Sequence, residues 1–164
     1  MISQKMEKAI REIRFLRQIR GGAPCNVLAM LTKLGHKTAF IGKVGEDFFG
    51  EQLRDAITEV GIDADGLCTD KEIHTTLAMV HTYPDGDRDF SFYRNPGADM
   101  KLNKEEICED IIKETKIFHF GTLSMTHEEV REATKEAIRI AELFLSIRIY
   151  DHHFGILWMR RRNR

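Results

Sequence analysis

The sequence has no apolar run approaching the roughly 20 residues that cross a bilayer as a helix. Its amino terminus also lacks the apolar core and small-residue cleavage site of a secretory signal. A cytoplasmic protein with no membrane partner is the expectation. Cysteine is scarce: Cys25, Cys68 and Cys108 are odd in number, far apart and without Cys-x-x-Cys spacing, which argues against a disulfide framework and a zinc site alike. They read as reduced thiols, and no metal ligands are expected. There is no internal repeat and no low-complexity linker, and the net charge is only −1. What remains is the composition of a globular domain: 164 residues, 42% apolar and 31% charged, enough for one domain with a real core.

The small net charge hides an uneven distribution. Residues 1–20 carry six Lys/Arg against two acids, residues 146–164 carry five Arg against one acid, and residues 21–145 hold 14 basic and 23 acidic side chains. Basic ends around an acidic middle suit a non-catalytic module that gathers nucleic-acid phosphate or an acidic membrane. The ends nevertheless lack interleaved aromatics and any recognised nucleic-acid motif, so no nucleic-acid partner is expected. The other reading of the asymmetry is that ends and middle have different origins.

From Gly21 onward, helix and strand signals alternate. Val27, Met30, Leu31 and Leu34 are spaced for one helical face, and Gly35 stands where a left-handed C-cap belongs. Residues 37–44 read as a short buried strand. Asp47 then serves as an N-cap for a helix with Leu53, Ala56, Ile57 and Val60 on one face, ending at Gly61. Residues 73–82 and 88–93 are rich in Thr, Val, Phe and Tyr around the turn Pro84-Asp85-Gly86-Asp87, which predicts a hairpin. Asn103 is placed to cap a helix carrying Ile107 and Ile111, and residues 116–121 form a strand entering a glycine turn. Thr126 and Glu129 make a capping-box pattern ahead of a helix burying Val130, Ala133, Ala137, Ile138 and Ala141. The alternation predicts an α/β fold, a parallel sheet flanked by helices with the hairpin projecting from it.

The candidate chemistry begins at Gly21-Gly22-Ala23-Pro24-Cys25-Asn26. Two glycines permit close approach of a ligand to the backbone, and the free N–H groups of a helix start favour anionic or hydroxyl oxygens. An ordinary loop before a helix is the alternative. Lys43 and Asp47 read better as a turn ion pair and an N-cap than as catalytic groups, and His119, in an apolar strand, as a hydrogen-bonded core residue.

The run GGAPCNVLAMLTKLGHKTAFIGKVGEDFFGEQLRDAITEVGIDADGL resembles the first signature region of the ribokinase/PfkB carbohydrate kinases. TLAMVHTYPDGDRDFSFYRNPGADMKL and IFHFGTLSM resemble the fructokinase branch, and together the likeness covers about residues 21–141. It implies a ribokinase-like parallel α/β sheet with a small β lid, here residues 73–93, and ATP- and Mg²⁺-dependent phosphorylation of a small-molecule sugar. Fructose is the first choice of sugar, with 2-keto-3-deoxygluconate an alternative. Carried over by position, Gly21, Gly22 and Asn26 would line the sugar pocket, while Tyr93, Arg94 and Asn95 would reach the sugar from the lid. Lid strands imply a homodimer, and a separately made carboxy-terminal half is a second possible partner. The family's Gly-Ala-Gly-Asp catalytic motif is missing from the sequence, and Gly97-Ala98-Asp99 is only superficially like it. No catalytic or ATP- and Mg²⁺-binding residue is therefore assigned, and the chain alone is expected to be inactive, since phosphoryl transfer depends on positioning and charge stabilisation.

The likeness stops at both ends. Residues 1–20 read as a basic helix with Met6, Ile10, Ile13 and Leu16 on one face, and lack the family's opening strand with its acidic sugar ligand. Regrouping suitable codons for residues 7–20 by one base permits Gly-Lys-Ser-Asp-Lys-Gly-Asn-Pro-Ile-Phe-Glu-Ala-Asn-Pro, which is similar to what fructokinases carry at this point. The same operation from Ser146 permits Asp-Pro-Asn-Leu-Arg-Pro-Pro-Phe-Trp-Asp, and the Trp158–Met159 junction can only give Asp. The expectation is that 1–20 and 146–164 are non-homologous segments read out of frame around a kinase part at 21–145.

Overall fold

The computed structural model describes residue 19 and the segments 21–144, 147–151 and 156–160, the last two as backbone. The helix expected over the basic first twenty residues lies outside the described residues, apart from the exposed Ile19.

Helix α1, Ala23–Lys33, takes Pro24 in its first turn, where a missing N–H leaves no bond unmade. It ends as predicted at Gly35, whose φ of 85° is left-handed. The N–H groups of Gly35 and His36 there close on the carbonyls of Thr32 and Leu31. Its covered face matches the expected one only in part: Leu31 of the predicted stripe packs against the core. Pro24 and Leu28 are buried, whereas Val27, Met30 and Leu34 are 43%, 61% and 66% exposed. The helix is apolar on two faces, and the predicted stripe is covered at Leu31 while Val27, Met30 and Leu34 stay exposed.

The strand expected over 37–44 is broken into β1, Thr38–Ala39, and β2, Gly42–Gly45. Helix α2, Phe48–Val60, is capped by Asp47 and closed by Gly61 at φ 91°, as the sequence predicts. Strand β3, Leu67–Asp70, pairs in parallel with β2. Leu28, Val44, Ile57, Ile62 and Leu67 form the core between this pair and the first two helices.

Asn103 caps a 3-10 turn, Lys104–Glu106, and not a longer helix: its Oδ1 accepts from Glu105 N at 3.1 Å, while Glu106 Oε2 accepts from Asn103 N at 3.0 Å. Ile107 lies past that turn, and a short helix α3, Glu109–Lys113, follows with Ile111 and Ile112 buried. Helix α4, Glu128–Phe144, starts beyond Thr126, whose hydroxyl donates to Leu123 O at 2.8 Å, so the expected capping box is not what begins it. Glu129 instead accepts from Lys101 at 2.7 Å. Val130, Ala133, Ala137 and Ala141 are buried as expected, and Thr134 joins them by donating to Val130 O at 2.7 Å.

Strand β6, Thr115–Gly121, pairs in parallel with β7, Ile147–Asp151, and antiparallel with β8, Ile156–Arg160. Strand β8 also pairs antiparallel with β1, giving the order β1-β8-β6-β7. The architecture is α/β with parallel pairs β2/β3 and β6/β7. The sequence reading assigns no element to the stretch that supplies β7 and β8. Residues of α3 and α4 close over Phe118 and Ala39 of this sheet to make the larger core.

The hairpin, β4 (Leu77–Thr82) and β5 (Arg88–Tyr93), has the predicted turn, with Gly86 at φ 89°. Every residue of β5 is exposed, so the hairpin stands out from the body as a lid does.

Candidate functional site

A cleft of about 570 Å³ opens between the start of α2 and the root of the hairpin. Its walls are largely apolar, with Phe48, Phe49, Leu77 and Phe92 prominent, and Asp47, His74, Thr75, Tyr93, Arg94 and Asn95 supply its polar groups. An apolar pocket with a few fixed polar groups is the usual form of a small-molecule site.

Asp47 fixes one side. As the N-cap of α2, its Oδ1 accepts from Gly50 N at 2.8 Å and from the Thr75 hydroxyl at 2.8 Å, and its Oδ2 from Thr75 N at 2.7 Å. The Thr75 hydroxyl in turn accepts from Gly45 N at 2.9 Å. Only glycine fits at position 50, since a Cβ there would collide with Gly45 O. Burial disfavours the charge on Asp47, but the bonds from Thr75 and Gly50 outweigh it and hold the carboxyl below its ordinary range. The knot ties the entering stem of the hairpin to the body.

Arg94 fixes the other side. Its Nε and Nη2 donate to Asp99 Oδ2 at 2.8 and 2.6 Å, while the Thr76 hydroxyl donates to Asp99 Oδ1. Ala98 N donates to His74 O at 2.9 Å, so the two stems are also joined to each other.

The structure therefore brings Tyr93, Arg94 and Asn95 together in one cleft. Gly21, Gly22 and Asn26 lie at the exposed start of α1 and are not among the cleft's lining residues. There the Asn26 side chain folds back on Gly21, where a Cβ would meet its Oδ1 at 3.0 Å. Phe48, Phe49, His74 and Thr75 were not singled out from the sequence. The signal that points to them is the N-cap at Asp47, which places the start of α2 against the hairpin stem.

Lys43 is ion-paired, but across the fold to Glu106 and Asp70 and not within its own turn as expected. Its Nζ donates to Glu106 at 2.8 and 3.1 Å and to Lys101 O at 3.2 Å, and lies 3.1 Å from Asp70. His119 is buried in β6, as a core histidine should be. Among the described residues, no group of three or more His, Cys, Asp or Glu is arranged to hold a metal ion, and no helix is long and apolar enough to cross a membrane.

The profile of the pfkB family carbohydrate kinases matches residues 3–155. Probable fructokinase-5 of Arabidopsis thaliana is 47% identical over 139 residues, which cover 84% of this chain and 43% of that protein. The crystal structure of fructokinase from Xylella fastidiosa superposes with a TM-score of 0.76 at 36% identity, covering 82% of this chain and 41% of that one. The same enzyme with bound ATP gives 0.75 at 36% identity, covering 82% and 42%. The chain thus spans less than half the length of the relatives it matches. With a flanked α/β sheet, a projecting hairpin lid and a profile match over most of its length, this chain belongs to the pfkB family of carbohydrate kinases.

Proposed function

We propose that the chain is the sugar-holding part of a carbohydrate kinase, with fructose as the sugar and a cytoplasmic location. The observation that carries this reading is the cleft at the lid root, which Tyr93, Arg94 and Asn95 line together with Asp47. A phenol, a guanidinium and an amide offer the mixture of donors and acceptors that sugar hydroxyls require. Gly21, Gly22 and Asn26 are assigned to the same sugar by family position. They would join it as a backbone approach beside the cleft.

ATP with Mg²⁺ is the phosphoryl donor that the family implies, and no residue of this chain is assigned to bind it. The nearest sequence to a catalytic loop, Gly97-Ala98-Asp99, has its carboxylate bonded to Arg94 and Thr76 and outside the residues that line the cleft. We therefore expect the purified chain to bind fructose saturably in calorimetry and to give no sugar phosphate with ATP and Mg²⁺. Phosphorylation above background would refute the assignment of inactivity, and absence of fructose binding would refute the site.

The lid also carries a partner reading. Val80 and Phe90 are directly paired across the hairpin and so share a face; they are 52% and 53% exposed. Phe90 stacks on Phe92 at 6.0 Å on that face. An apolar face on a protruding two-stranded sheet suits self-association. We expect sedimentation equilibrium to show a dimer, and Val80→Ser with Phe90→Ser to weaken it by about tenfold or more. A monomer at all concentrations would exclude lid-mediated dimers.

A further inference from the structure

Resting on the sugar-site reading, we infer that Asp99 sets the charge of the cleft, neutralising Arg94 so that the site takes a neutral sugar and rejects a sugar acid.

Arg94 is the one Lys or Arg among the lining residues. A lone guanidinium in an apolar wall is the group a carboxylate ligand would seek, because its planar fork matches two carboxylate oxygens. Here that fork is already spent. Nε and Nη2 both donate to Asp99 Oδ2 at 2.8 and 2.6 Å, and the Thr76 hydroxyl holds the other carboxylate oxygen in place. Arg94 is anchored, with its side chain 13% exposed, and the donors left to it are those of Nη1 and the second N–H of Nη2.

A sugar hydroxyl can accept from one of those remaining donors without an electrostatic penalty. A carboxylate in the same place meets a guanidinium whose charge is balanced by Asp99. It also meets a second anion that lines the same cleft, Asp47, held in its charged form by Thr75 and Gly50. His74, whose Nδ1 lies 3.5 Å from Asp47 Oδ2, is 91% exposed and turned largely to solvent. Counting fixed charges, two carboxylates stand against one guanidinium, a field that disfavours an anionic ligand. Asp99 itself is not among the lining residues, so it acts on the ligand through Arg94 as a positioning and specificity residue.

The test uses the 164-residue chain and two probes, D-fructose and 2-keto-3-deoxygluconate, titrated by isothermal calorimetry. The wild-type chain is expected to bind fructose about tenfold or more tighter than the acid. Asp99→Asn keeps an oxygen for Arg94 and a partner for Thr76 while removing the charge. It should tighten the acid by about tenfold and change fructose by less than about threefold. Arg94→Gln leaves Asp99 unbalanced and should weaken the acid further, which supplies a second readout if the Asp99 variant fails to melt cooperatively. Equal binding of both probes by the wild-type chain, parallel shifts of both in Asp99→Asn, or tighter acid binding in Arg94→Gln would each overturn the inference while leaving a fructose site intact. Failure of the wild-type chain to bind fructose would overturn the sugar-site reading, and this inference with it.

Discussion

Phe118→Ala should lower the stability of the chain by about 3–5 kcal/mol, read as a shift in urea midpoint. Phe118 is fully buried in β6, its ring 5.6 Å from that of Phe120, in the core that α3 and α4 close over. Removing it strips apolar contacts and leaves a void that the surrounding branched side chains cannot fill. Domains of this size are stable by only about 5–15 kcal/mol, so the variant should approach the unfolded state without denaturant. The companion substitution Phe92→Ala removes an equal volume from a side chain that is 56% exposed, and should cost no more than about 0.5 kcal/mol. A Phe118→Ala loss below about 1 kcal/mol would show that the sheet and its helices are not packed as described.

Lys43→Met is expected to cost about 2–3 kcal/mol, because it leaves two carboxylates facing one another without their cation. The Lys43 side chain is 8% exposed, against 15% for Asp70 and 25% for Glu106, so water relieves the stranded acids only in part. The pH dependence follows from the two shifts. Burial opposes the charge on Lys43, but Glu106 and Asp70 outweigh it and raise its pKa above the ordinary lysine value. Its contribution is therefore fully present below that ordinary value and fades as pH climbs through the raised one. Asp70 is held below the ordinary carboxylate range, since bonds from Glu72, Ile73 and Lys43 overcome its desolvation. Its contribution is present above the ordinary carboxylate pKa and fades as pH falls through the lowered one. Wild type and Lys43→Met should differ most between these limits and converge in strong acid and strong alkali. A difference independent of pH would assign the loss to packing of the lysine stem.

Local signals with a single physical cause were legible in the sequence. Asp47 caps α2, Gly35 and Gly61 close their helices with positive φ, and Gly86 turns the hairpin, because each depends on residues a few positions away. The face of α1 was legible only in part. Periodicity marks Val27, Met30, Leu31 and Leu34 as one stripe, but Leu28 with Pro24 makes another, and tertiary packing buries the second while covering the first at Leu31. Thr126 failed as a cap for a related reason: a 3-10 turn over Thr122–Met125 places its hydroxyl within reach of Leu123 O, a competitor that the capping-box pattern does not reveal. Of the candidate site, Tyr93, Arg94 and Asn95 were reached through resemblance, and the cleft gathers them. The pairing of Arg94 with Asp99 depends on the path of the chain after the lid, which no periodic pattern records.

The position of β8 bears on how the molecule is built. With Thr38 opposite Met159 and Phe118 opposite Trp158, residues from near the two extremes of the described chain must meet before β1 and β6 share a sheet. Until that encounter both strands present bare backbone donors and acceptors, the template on which other chains add. Assembly of this sheet is accordingly governed by a long-range closure, slow beside the formation of the hairpin. The yield of native protein should therefore depend on concentration during refolding even where the finished fold is stable.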